Sequence, residues 1–282
     1  MVSVLKSGFY TSVQDLGRHG YQDQGVPVSG VMDVYSAKLA NALLNNEDTT
    51  AVLELTMVGP VLQFHCNTLI AITGADLSPV LNNKPLKLNS VIAIKKDDVL
   101  TFSASKYGFR SYLAVRNGFE TALVLGSRSM FKGVTANEKL VKGSTLPICE
   151  VIHSNEITKM ASVKVNYEHF SSTGLSVSKG PEYDLLSKDL KEKLKGLQFV
   201  ISNENNRMAY KLDTEILKNN LKPIITSAVL PGTVQLTPSG QLIILMRDCQ
   251  TTGGYPRILQ LTEYAIAQLS QKFNGDTILF NL

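Results

Sequence analysis

The fold is constrained most by a series of short apolar and β-branched runs, each closed by glycine, proline, asparagine or a charged turn. Gly59-Pro60 ends one run, Gly74 ends the next, and Asn117-Gly118 ends a later one. Many short strands with this punctuation are typical of a barrel or sandwich rather than a parallel βαβ sheet. The predicted strands are 51–58, 67–73, 91–94, 99–103, 111–115, 197–202, 233–237, 241–246, 257–262 and 276–280. We therefore predict a mainly β protein.

Three segments have helical spacing instead. Residues 34–45 carry apolar side chains on one face, with Asp33 placed as the N-cap. Residues 183–195 form a second predicted helix, bounded by Pro181 and Gly196. A shorter one is predicted at 263–272. These helices are expected to plug or cover a sheet.

The length of 282 residues suits one large domain or two of ordinary size. The stretch 154–174 is polar and less periodic than its surroundings, and it separates two groups of predicted strands. We predict two β-rich lobes, at 1–160 and 161–282.

Composition excludes several classes of protein. Hydrophobic residues make up 44% of the chain, charged residues 18%, and the formal charge is +4 without any lysine/arginine run, so nucleic acid is not an expected partner. No apolar run reaches the length of a membrane span or a signal-peptide core. Cys66, Cys149 and Cys249 are sparse and form no CxxC pair, so neither a metal nor a redox site is expected. A cytoplasmic enzyme or subunit is the expectation.

The first candidate site is the glycine-rich polar segment 11–33, which contains Gln14, Asp15, Arg18 and His19. A structureless run of this length inside a compact domain is usually functional or disordered, and its aromatic and small apolar residues argue against disorder. Arginine can grip a carboxylate or phosphate at two points. The alternative is a surface loop stapled by Asp15–Arg18 contacts. His19 by itself is more often a packed or solvent-exposed histidine than a catalyst.

Glu54 lies in the predicted strand 51–58, whose other side is apolar. Strand alternation points its carboxylate outward or into a barrel mouth. The alternative is an ordinary solvated glutamate.

Amides are clustered in 202–212, which contains Asn205, Arg207 and Tyr210. Amides beside an arginine can hold a polar planar ligand. They can equally cap a turn, and the sequence leaves both interpretations open.

The last candidate is the loop 247–258, RDCQTTGGYPRI, between two predicted strands. Its glycines allow a ligand to approach the backbone closely or an anion to be cradled by N–H groups, and its side chains supply a carboxylate, an amide, hydroxyls and a phenol. The chain contains no P-loop, dinucleotide fingerprint, GxSxG or HExxH motif. The loop's candidate residues are Asp248, Gln250, Thr251, Thr252, Gly253, Gly254 and Tyr255.

Several stretches together resemble one family. TSVQDLGRHGYQDQGVPVSGVMDVYSAKLANALLNN, followed in order by AVLELTMVGP, AITGADL, SNENNRMAYKL and DCQTTGGYPRI, is similar to the allophanate hydrolase subunit 2 family, also called the biotin-dependent carboxyltransferase family. The resemblance covers essentially the whole chain. It implies two cyclophilin-like β-barrel lobes with a few short covering helices.

The resemblance also implies a function. Stand-alone bacterial members are mostly the C subunit of an ATP-dependent 5-oxoprolinase, a hydrolase that opens the cyclic amide of 5-oxo-L-proline to L-glutamate. They act with the B subunit, which is similar to allophanate hydrolase subunit 1, and with a LamB/YcsF-like A subunit. ATP and Mg²⁺ are the cofactors expected in the complex. Biotin is not expected on this chain, which lacks the Met-Lys-Met acceptor.

The resemblance locates candidate residues without dividing the roles among them. Arg18 and Arg207 are candidates for gripping a phosphate or the substrate carboxylate. The amides of Gln14, Asn205 and Gln250 can bond the lactam, and the backbone at 252–254 can stabilise developing negative charge. Asp15, Glu54 and Asp248 are candidates for a base or for holding Mg²⁺. No side-chain role is expected for Cys249, because relatives are expected to have a bulkier polar residue there. The loop and the 14–33 segment are expected to form walls of one polar site, completed by a partner subunit.

Two alternatives remain open. The chain can be a carboxyltransferase subunit of a urea carboxylase or allophanate hydrolase-type system, which would require a separate biotin carrier. It can also be a non-catalytic regulator that binds a sister subunit, like the antagonist of a sporulation kinase inhibitor.

Overall fold

The computed structural model describes residues 1–151, 162–216 and 221–282. The chain forms two compact units: unit 1 comprises Met1–Arg18 and Ser29–Tyr167, and unit 2 comprises His19–Val28 and Glu168–Leu282. The predicted boundary between residues 160 and 161 lies outside the described residues. The prediction gave each lobe as one continuous stretch of sequence. In the structure the units are interleaved in sequence, because His19–Val28 belongs to unit 2 although unit 1 flanks it on both sides.

The described residues of unit 1 form two sheets and one helix. Its elements are β1 (Val2–Lys6), β2 (Tyr10–Gln14), α1 (Val34–Leu43), β3 (Val52–Thr56), β4 (Val61–Phe64), β5 (Thr68–Asp76), β6 (Val80–Leu81), β7 (Lys84–Pro85), β8 (Val91–Ile94), β9 (Val99–Thr101), β10 (Tyr107–Val115) and β11 (Thr145–Leu146). One sheet has the order β11-β1-β4-β9-β6-β7 and the other β2-β3-β10-β5-β8. Every pairing within these two sheets is antiparallel.

The five-stranded sheet of unit 1 is buried on both faces. Leu53 and Leu55 belong to one apolar cluster with β1 and β4 residues, whereas Val52 belongs to a second cluster with residues of α1. Successive side chains of a strand point to opposite faces, so β3 separates the two clusters. Asp33 caps α1 as predicted, and its carboxylate accepts from the Ser36 backbone N–H at 3.0 Å.

Unit 2 contains a closed barrel. Its elements are α2 (Glu168–Ser171), β12 (Gly174–Lys179), α3 (Lys188–Gly196), β13 (Phe199–Asn205), β14 (Ala209–Leu212), β15 (Ser227–Ala228), β16 (Thr233–Leu236), β17 (Leu242–Leu245), β18 (Thr252–Gly253), β19 (Arg257–Leu261), α4 (Glu263–Ser270) and β20 (Thr277–Asn281), with 3-10 turns at Gln22–Gln24 and Tyr183–Leu185. The barrel order is β12-β19-β16-β17-β14-β13-β20, closed by a parallel β12–β20 pair, and β15 pairs with β18 separately.

The mainly β prediction is confirmed, with two differences in detail. A closed barrel occurs in unit 2, whereas the described strands of unit 1 form two sheets, where a second barrel was expected. The single predicted helix 183–195 is divided into a 3-10 turn at Tyr183–Leu185 and α3. The division occurs because the Ser187 hydroxyl accepts from the Leu190 backbone N–H and starts α3 there. Among the described residues, no helix is long and apolar enough to cross a bilayer.

Candidate functional site

Asp15 directly follows β2 and is half-buried. Its Oδ1 accepts from the Gly17 backbone N–H at 2.8 Å and from the hydroxyls of Ser127 and Ser129, each at 2.6 Å. Its Oδ2 accepts from the Arg128 backbone N–H at 2.6 Å. A carboxylate with four donors fixes two chain segments against each other.

The 11–33 segment is closed at its stem within unit 1. The Val31 backbone N–H donates to the Asp15 carbonyl at 2.9 Å. Gly30 has φ +87°, and a Cβ on it would lie 2.8 Å from the Gly17 nitrogen, so only glycine fits this crossing. Arg18 is buried and its Nη2 donates to the Ser129 carbonyl at 2.7 Å. Asp15 and Arg18 therefore both bond residues 127–129. The alternative considered from the sequence was a direct contact between Asp15 and Arg18.

Gln14 and His19 have contrasting environments. Gln14 is fully buried, and its Nε2 donates to the Ser12 hydroxyl at 3.0 Å and to the Met130 carbonyl at 3.1 Å. His19 is exposed and is the first residue of the segment that belongs to unit 2. Gln14 is thus bonded within unit 1, and His19 has a solvent-exposed environment, one of the two ordinary states expected for it.

Glu54 is fully buried, so the expectation of an outward or solvated carboxylate is wrong. Its Oε2 accepts from the Met32 backbone N–H at 2.7 Å and from the Tyr112 hydroxyl at 2.9 Å, and its Oε1 lies 3.6 Å from Arg110 Nε. The Tyr112 oxygen in turn accepts from the Asp33 backbone N–H at 2.7 Å. Strand alternation does point Glu54 away from Leu53 and Leu55, but that face carries α1 and the turn before it.

Burial, followed by the charge of Glu54, raises the pKa of Tyr112 well above its ordinary value. Tyr112 therefore remains a neutral hydroxyl that can donate to Glu54. This arrangement ties residues 32–33 to the sheet. It is a structural network rather than an exposed general base.

In unit 2, Arg207 and Asp248 pair with each other. Arg207 Nε lies 2.8 Å from Asp248 Oδ2, Arg207 Nη2 lies 3.1 Å from Asp248 Oδ1, and the Asp248 backbone N–H donates to the Arg207 carbonyl at 2.9 Å. Both side chains are buried. This two-point pair joins the β13–β14 turn to the start of the glycine-rich loop.

The amide cluster before Arg207 stabilises that turn. Asn205 Nδ2 donates to the Ser202 carbonyl at 2.6 Å. The Asn206 side-chain oxygen accepts from the backbone N–H groups of Met208 and Ala209 at 2.7 and 3.2 Å. Of the two interpretations left open by the sequence, these contacts are those of a turn cap.

The glycine-rich loop forms what we call the strap: residues 224–229 and 251–254, paired with each other. Strands β15 and β18 pair within it, the Val229 backbone N–H donates to the Thr251 carbonyl, and the Ile224 backbone N–H donates to the Gly254 carbonyl, both at 3.0 Å. The side chains of Gln250, Thr252 and Tyr255 are exposed. The strap therefore has a fixed backbone, and it and its flanking residues present an amide, a hydroxyl and a phenol to solvent or a partner.

Cys249 is buried in an apolar cluster with Val229 and Leu245. Burial first, and then the negative charge of Asp248, raise the pKa of Cys249 to about 12. The thiol is protonated at neutral pH, so the site offers no cysteine nucleophile.

Sequence reasoning missed Gln235, in the middle of β16. It is 2% exposed, and within the described residues its Nε2 has no hydrogen-bond partner. A Cβ on Gly253 would lie 2.5 Å from that nitrogen. Leaving a buried donor unpaired costs about 1–3 kcal/mol. The only signal in the sequence is a glutamine between Val234 and Leu236, which resembles ordinary strand alternation.

The described residues contain no group of side chains suited to a metal ion. Within 1–151, 162–216 and 221–282, no three His, Cys, Asp or Glu residues are grouped so as to hold a metal ion. Arg18 and Arg207, the candidates for gripping a phosphate, already bond a carbonyl and a carboxylate respectively. The expectation of ATP and Mg²⁺ stays a prediction for the complex, and we derive no step through either group on this chain.

Comparison with known proteins gives the family. Residues 24–282 match the family described as the carboxyltransferase domain, subdomain A and B. The chain belongs to this carboxyltransferase-domain family. It is 32% identical over 285 residues to the 5-oxoprolinase C subunit of Escherichia coli K12, an alignment that covers 99% of this chain and 90% of the relative.

Solved structures share the fold. The crystal structure of TTHA0988 matches with a TM-score of 0.88 at 24% identity, covering 100% of this chain and 55% of that one. The K. lactis urea amidolyase matches with a TM-score of 0.86 at 28% identity, covering 99% of this chain and 18% of that one. The chain thus spans about half of the first solved chain and a small part of the second.

Proposed function

We propose that this chain is the C subunit of an ATP-dependent 5-oxoprolinase, which opens 5-oxo-L-proline to L-glutamate. One observation supports this choice above others within the family. The alignment with the E. coli C subunit extends over 99% of this chain and 90% of the relative, whereas the urea amidolyase match occupies only 18% of that chain. A protein similar over nearly its whole length to a subunit is best assigned that subunit's part in a complex.

In this proposal the strap of unit 2 is the part of the chain that meets the substrate. Gln250, Thr252 and Tyr255 supply an exposed amide, hydroxyl and phenol beside two glycines. A lactam has one N–H donor and one carbonyl acceptor, and these groups can bond both. The buried Arg207–Asp248 pair acts as a positioning element, because it fixes the start of the loop that carries Gln250.

The carboxylates take positioning roles in this proposal. Asp15 accepts four hydrogen bonds and Glu54 accepts two beside Arg110, so neither is poised to take a proton from a substrate. The base and the ATP site then belong to partner chains, namely an allophanate hydrolase subunit 1-like B subunit and a LamB/YcsF-like A subunit. A chain that supplies one wall of a shared site needs no complete catalytic set of its own.

Reconstitution tests the proposal. This chain is mixed with its two candidate partners, each is omitted in turn, and 5-oxoproline-dependent ATP hydrolysis and glutamate release are both measured. We expect both activities to require this chain, and Gln250→Ala to lower glutamate release while complex formation on a sizing column is unchanged. Lys84→Ala, an exposed change in unit 1, is the control. Full glutamate release without this chain would refute the proposal.

A carboxyltransferase is the second candidate, favoured by the family description and the urea amidolyase match. It predicts carboxyl transfer from carboxybiotin on a separate carrier and no glutamate release. A complex that forms but catalyses neither reaction would instead indicate a regulator that binds a sister subunit.

A further inference from the structure

The environment of Gln235 follows from its strand. Gln235 lies between Val234 and Leu236, and its cross-strand neighbours are Ile243 on β17 and Arg257 on β19. Because side chains alternate, Gln235 points away from the face that Val234 and Leu236 share and towards the face of Ile243. Ile243 packs against the cluster of Val229, Leu245 and Cys249, so the amide of Gln235 adjoins an apolar surface.

Gly253 lies directly over this amide. A Cβ at position 253 would be 2.5 Å from Gln235 Nε2 and 3.4 Å from Val229 Cγ1. Glycine at 253 is therefore what lets the strap lie against the glutamine. Its neighbour Gly254 is different, since a Cβ there would meet only the Ile224 carbonyl oxygen at 3.7 Å.

The site's chemistry is that of a neutral donor. Gln235 Nε2 is buried and without a partner among the described residues, although native proteins pair nearly all buried polar groups. The Cys249 thiol, in the cluster against which Ile243 packs, is uncharged at neutral pH. The guanidinium of Arg257, the neighbour of Gln235 on β19, is already paired with Glu182. An uncharged N–H beside this compensated pair and apolar side chains suits a neutral carbonyl oxygen better than a phosphate or carboxylate, which would be desolvated without a countercharge of its own.

We propose that Gln235 is a substrate-binding residue whose Nε2–H donates to the ring carbonyl oxygen of a small cyclic amide or cyclic urea, bound beneath the strap at Gly253. The choice of 5-oxoproline as that ring rests on the proposed function. The geometry itself gives a buried neutral donor, which suits an uncharged carbonyl oxygen. Binding would satisfy the buried donor and would require the strap to move away from Gln235.

Variants at two positions test this separately. Gln235→Met removes the hydrogen-bond donor and keeps a side chain of similar length. Gln235→Glu keeps the shape but replaces the N–H donor by an acceptor. Gly253→Ala leaves the glutamine unchanged and displaces its amide. In the assembled complex we expect each to raise the KM for 5-oxoproline about tenfold, as for one hydrogen bond lost, and to leave the KM for ATP unchanged. Gly196→Ala, with no atom within 4 Å of its Cβ, is the matched glycine control and should change neither constant.

A double variant gives a further readout. Shortening the side chain in Gln235→Ala removes the atom that an alanine at 253 would meet. Gly253→Ala should therefore add no further increase in KM on a Gln235→Ala background, whereas two independent sites would give additive effects. Additivity, or a wild-type KM for 5-oxoproline in folded Gln235→Met, would overturn the inference.

Calorimetric titration separates this inference from the proposed function. The probes are 5-oxoproline and 2-imidazolidinone, the simplest cyclic urea, added to the complex and to the full chain. Binding of the cyclic urea that is lost in Gln235→Met, with no 5-oxoproline turnover in the wild type, would support Gln235 as a ring-carbonyl donor and refute the oxoprolinase. Failure of both rings to bind the wild type would overturn the inference.

Discussion

At the scale of single residues, Asp15 is held by donors from two parts of the chain. Three of its four hydrogen bonds come from Ser127, Arg128 and Ser129, more than a hundred residues away in sequence. A carboxylate in this position closes a long loop and replaces the water that its donors would otherwise need. The Asp15 side chain is therefore expected to contribute to the stability of unit 1, whether or not it takes part in catalysis.

Asp15→Ala should lower the free energy of unfolding of unit 1 by about 2–4 kcal/mol. Hydrogen bonds to a charged group contribute about 1.5–3 kcal/mol each, and in a half-buried site water compensates for the loss of some of them. Urea denaturation followed by circular dichroism measures it. Asp48→Ala is the control, since its ion pair with Lys38 is 56% exposed on the Asp48 side and should contribute less than about 1 kcal/mol. Equal losses would contradict the anchoring role.

The Arg207–Asp248 pair gives a second prediction at this scale. Asp248→Asn should destabilise unit 2 by about 3–5 kcal/mol, because it removes the carboxylate charge from a buried two-point ion pair. Replacing both residues, as in Arg207→Met with Asp248→Leu, should restore much of that loss. Thermal unfolding compares them with Asp184→Asn, whose side chain is 86% exposed. A double variant no more stable than Asp248→Asn would show that the pair does not act as a unit.

At the scale of elements, the apolar runs predicted ten of the twenty strands among the described residues, but not which faces are buried. Strand β3 was predicted from its apolar residues, and the same pattern pointed Glu54 outward or into a barrel mouth, whereas Glu54 is fully buried. The reason is that α1 covers the second face of the sheet, a tertiary fact that the strand's own sequence does not contain. Strand β2 was not predicted, because Thr11, Ser12 and Gln14 are polar yet buried.

The candidate site was predictable to a similar extent. The polar, glycine-rich stretch 247–258 was recognised from its composition, and its Gly253 does make a close approach. Gln235 was missed because one glutamine between two apolar residues reads as a solvent-facing strand position. Its burial depends on the strap, whose two halves are not adjacent to it in sequence. Burial of a side chain by a segment that is distant in sequence depends on tertiary packing, whereas a glycine-rich turn can be recognised from its own residues.

Arg257 links β19 to two other elements and gives a pH prediction. It bonds Glu182 through its Nε at 3.0 Å and Nη2 at 2.8 Å, and its Nη1 donates to the Ala228 carbonyl of the strap. The hydrogen bond from Arg257 lowers the pKa of Glu182 below its ordinary value. A carboxyl with a lowered folded-state pKa stabilises the fold above its unfolded pKa of about 4.3, and that contribution disappears as pH falls through the folded value.

Glu182→Gln should therefore be less stable than the wild type at pH 7, and the difference should shrink as the pH is lowered below about 4. Urea unfolding at a series of pH values measures both curves. Glu47→Gln, at an exposed position in unit 1, should give a curve parallel to the wild type. A Glu182→Gln deficit that stays constant down to low pH would contradict the linkage to this carboxyl.

At the scale of the whole molecule, the division of the chain was only partly predictable. Composition indicated two β-rich halves, but nothing local marks His19–Val28 as part of unit 2. The segment leaves unit 1 after Arg18 and returns at Ser29, at a stem closed by the Val31–Asp15 hydrogen bond and the Gly30–Gly17 approach. Because the stem is closed without the segment, its two ends lie near each other within unit 1.

This closed stem leads to the last prediction. Replacing residues 19–28 by a short Gly-Ser linker should leave unit 1 folded, because the donors to Asp15 and the Val31–Asp15 hydrogen bond are all retained. Unit 2 should lose stability, because the excised residues pack with it. Hydrogen exchange read by mass spectrometry should show faster exchange in peptides from 168–282 and unchanged exchange around 124–130.

A Gly-Ser segment of the original ten-residue length is the control for chain connectivity, and it should give the same pattern. Faster exchange confined to unit 1 would show instead that these residues stabilise the stem rather than the barrel.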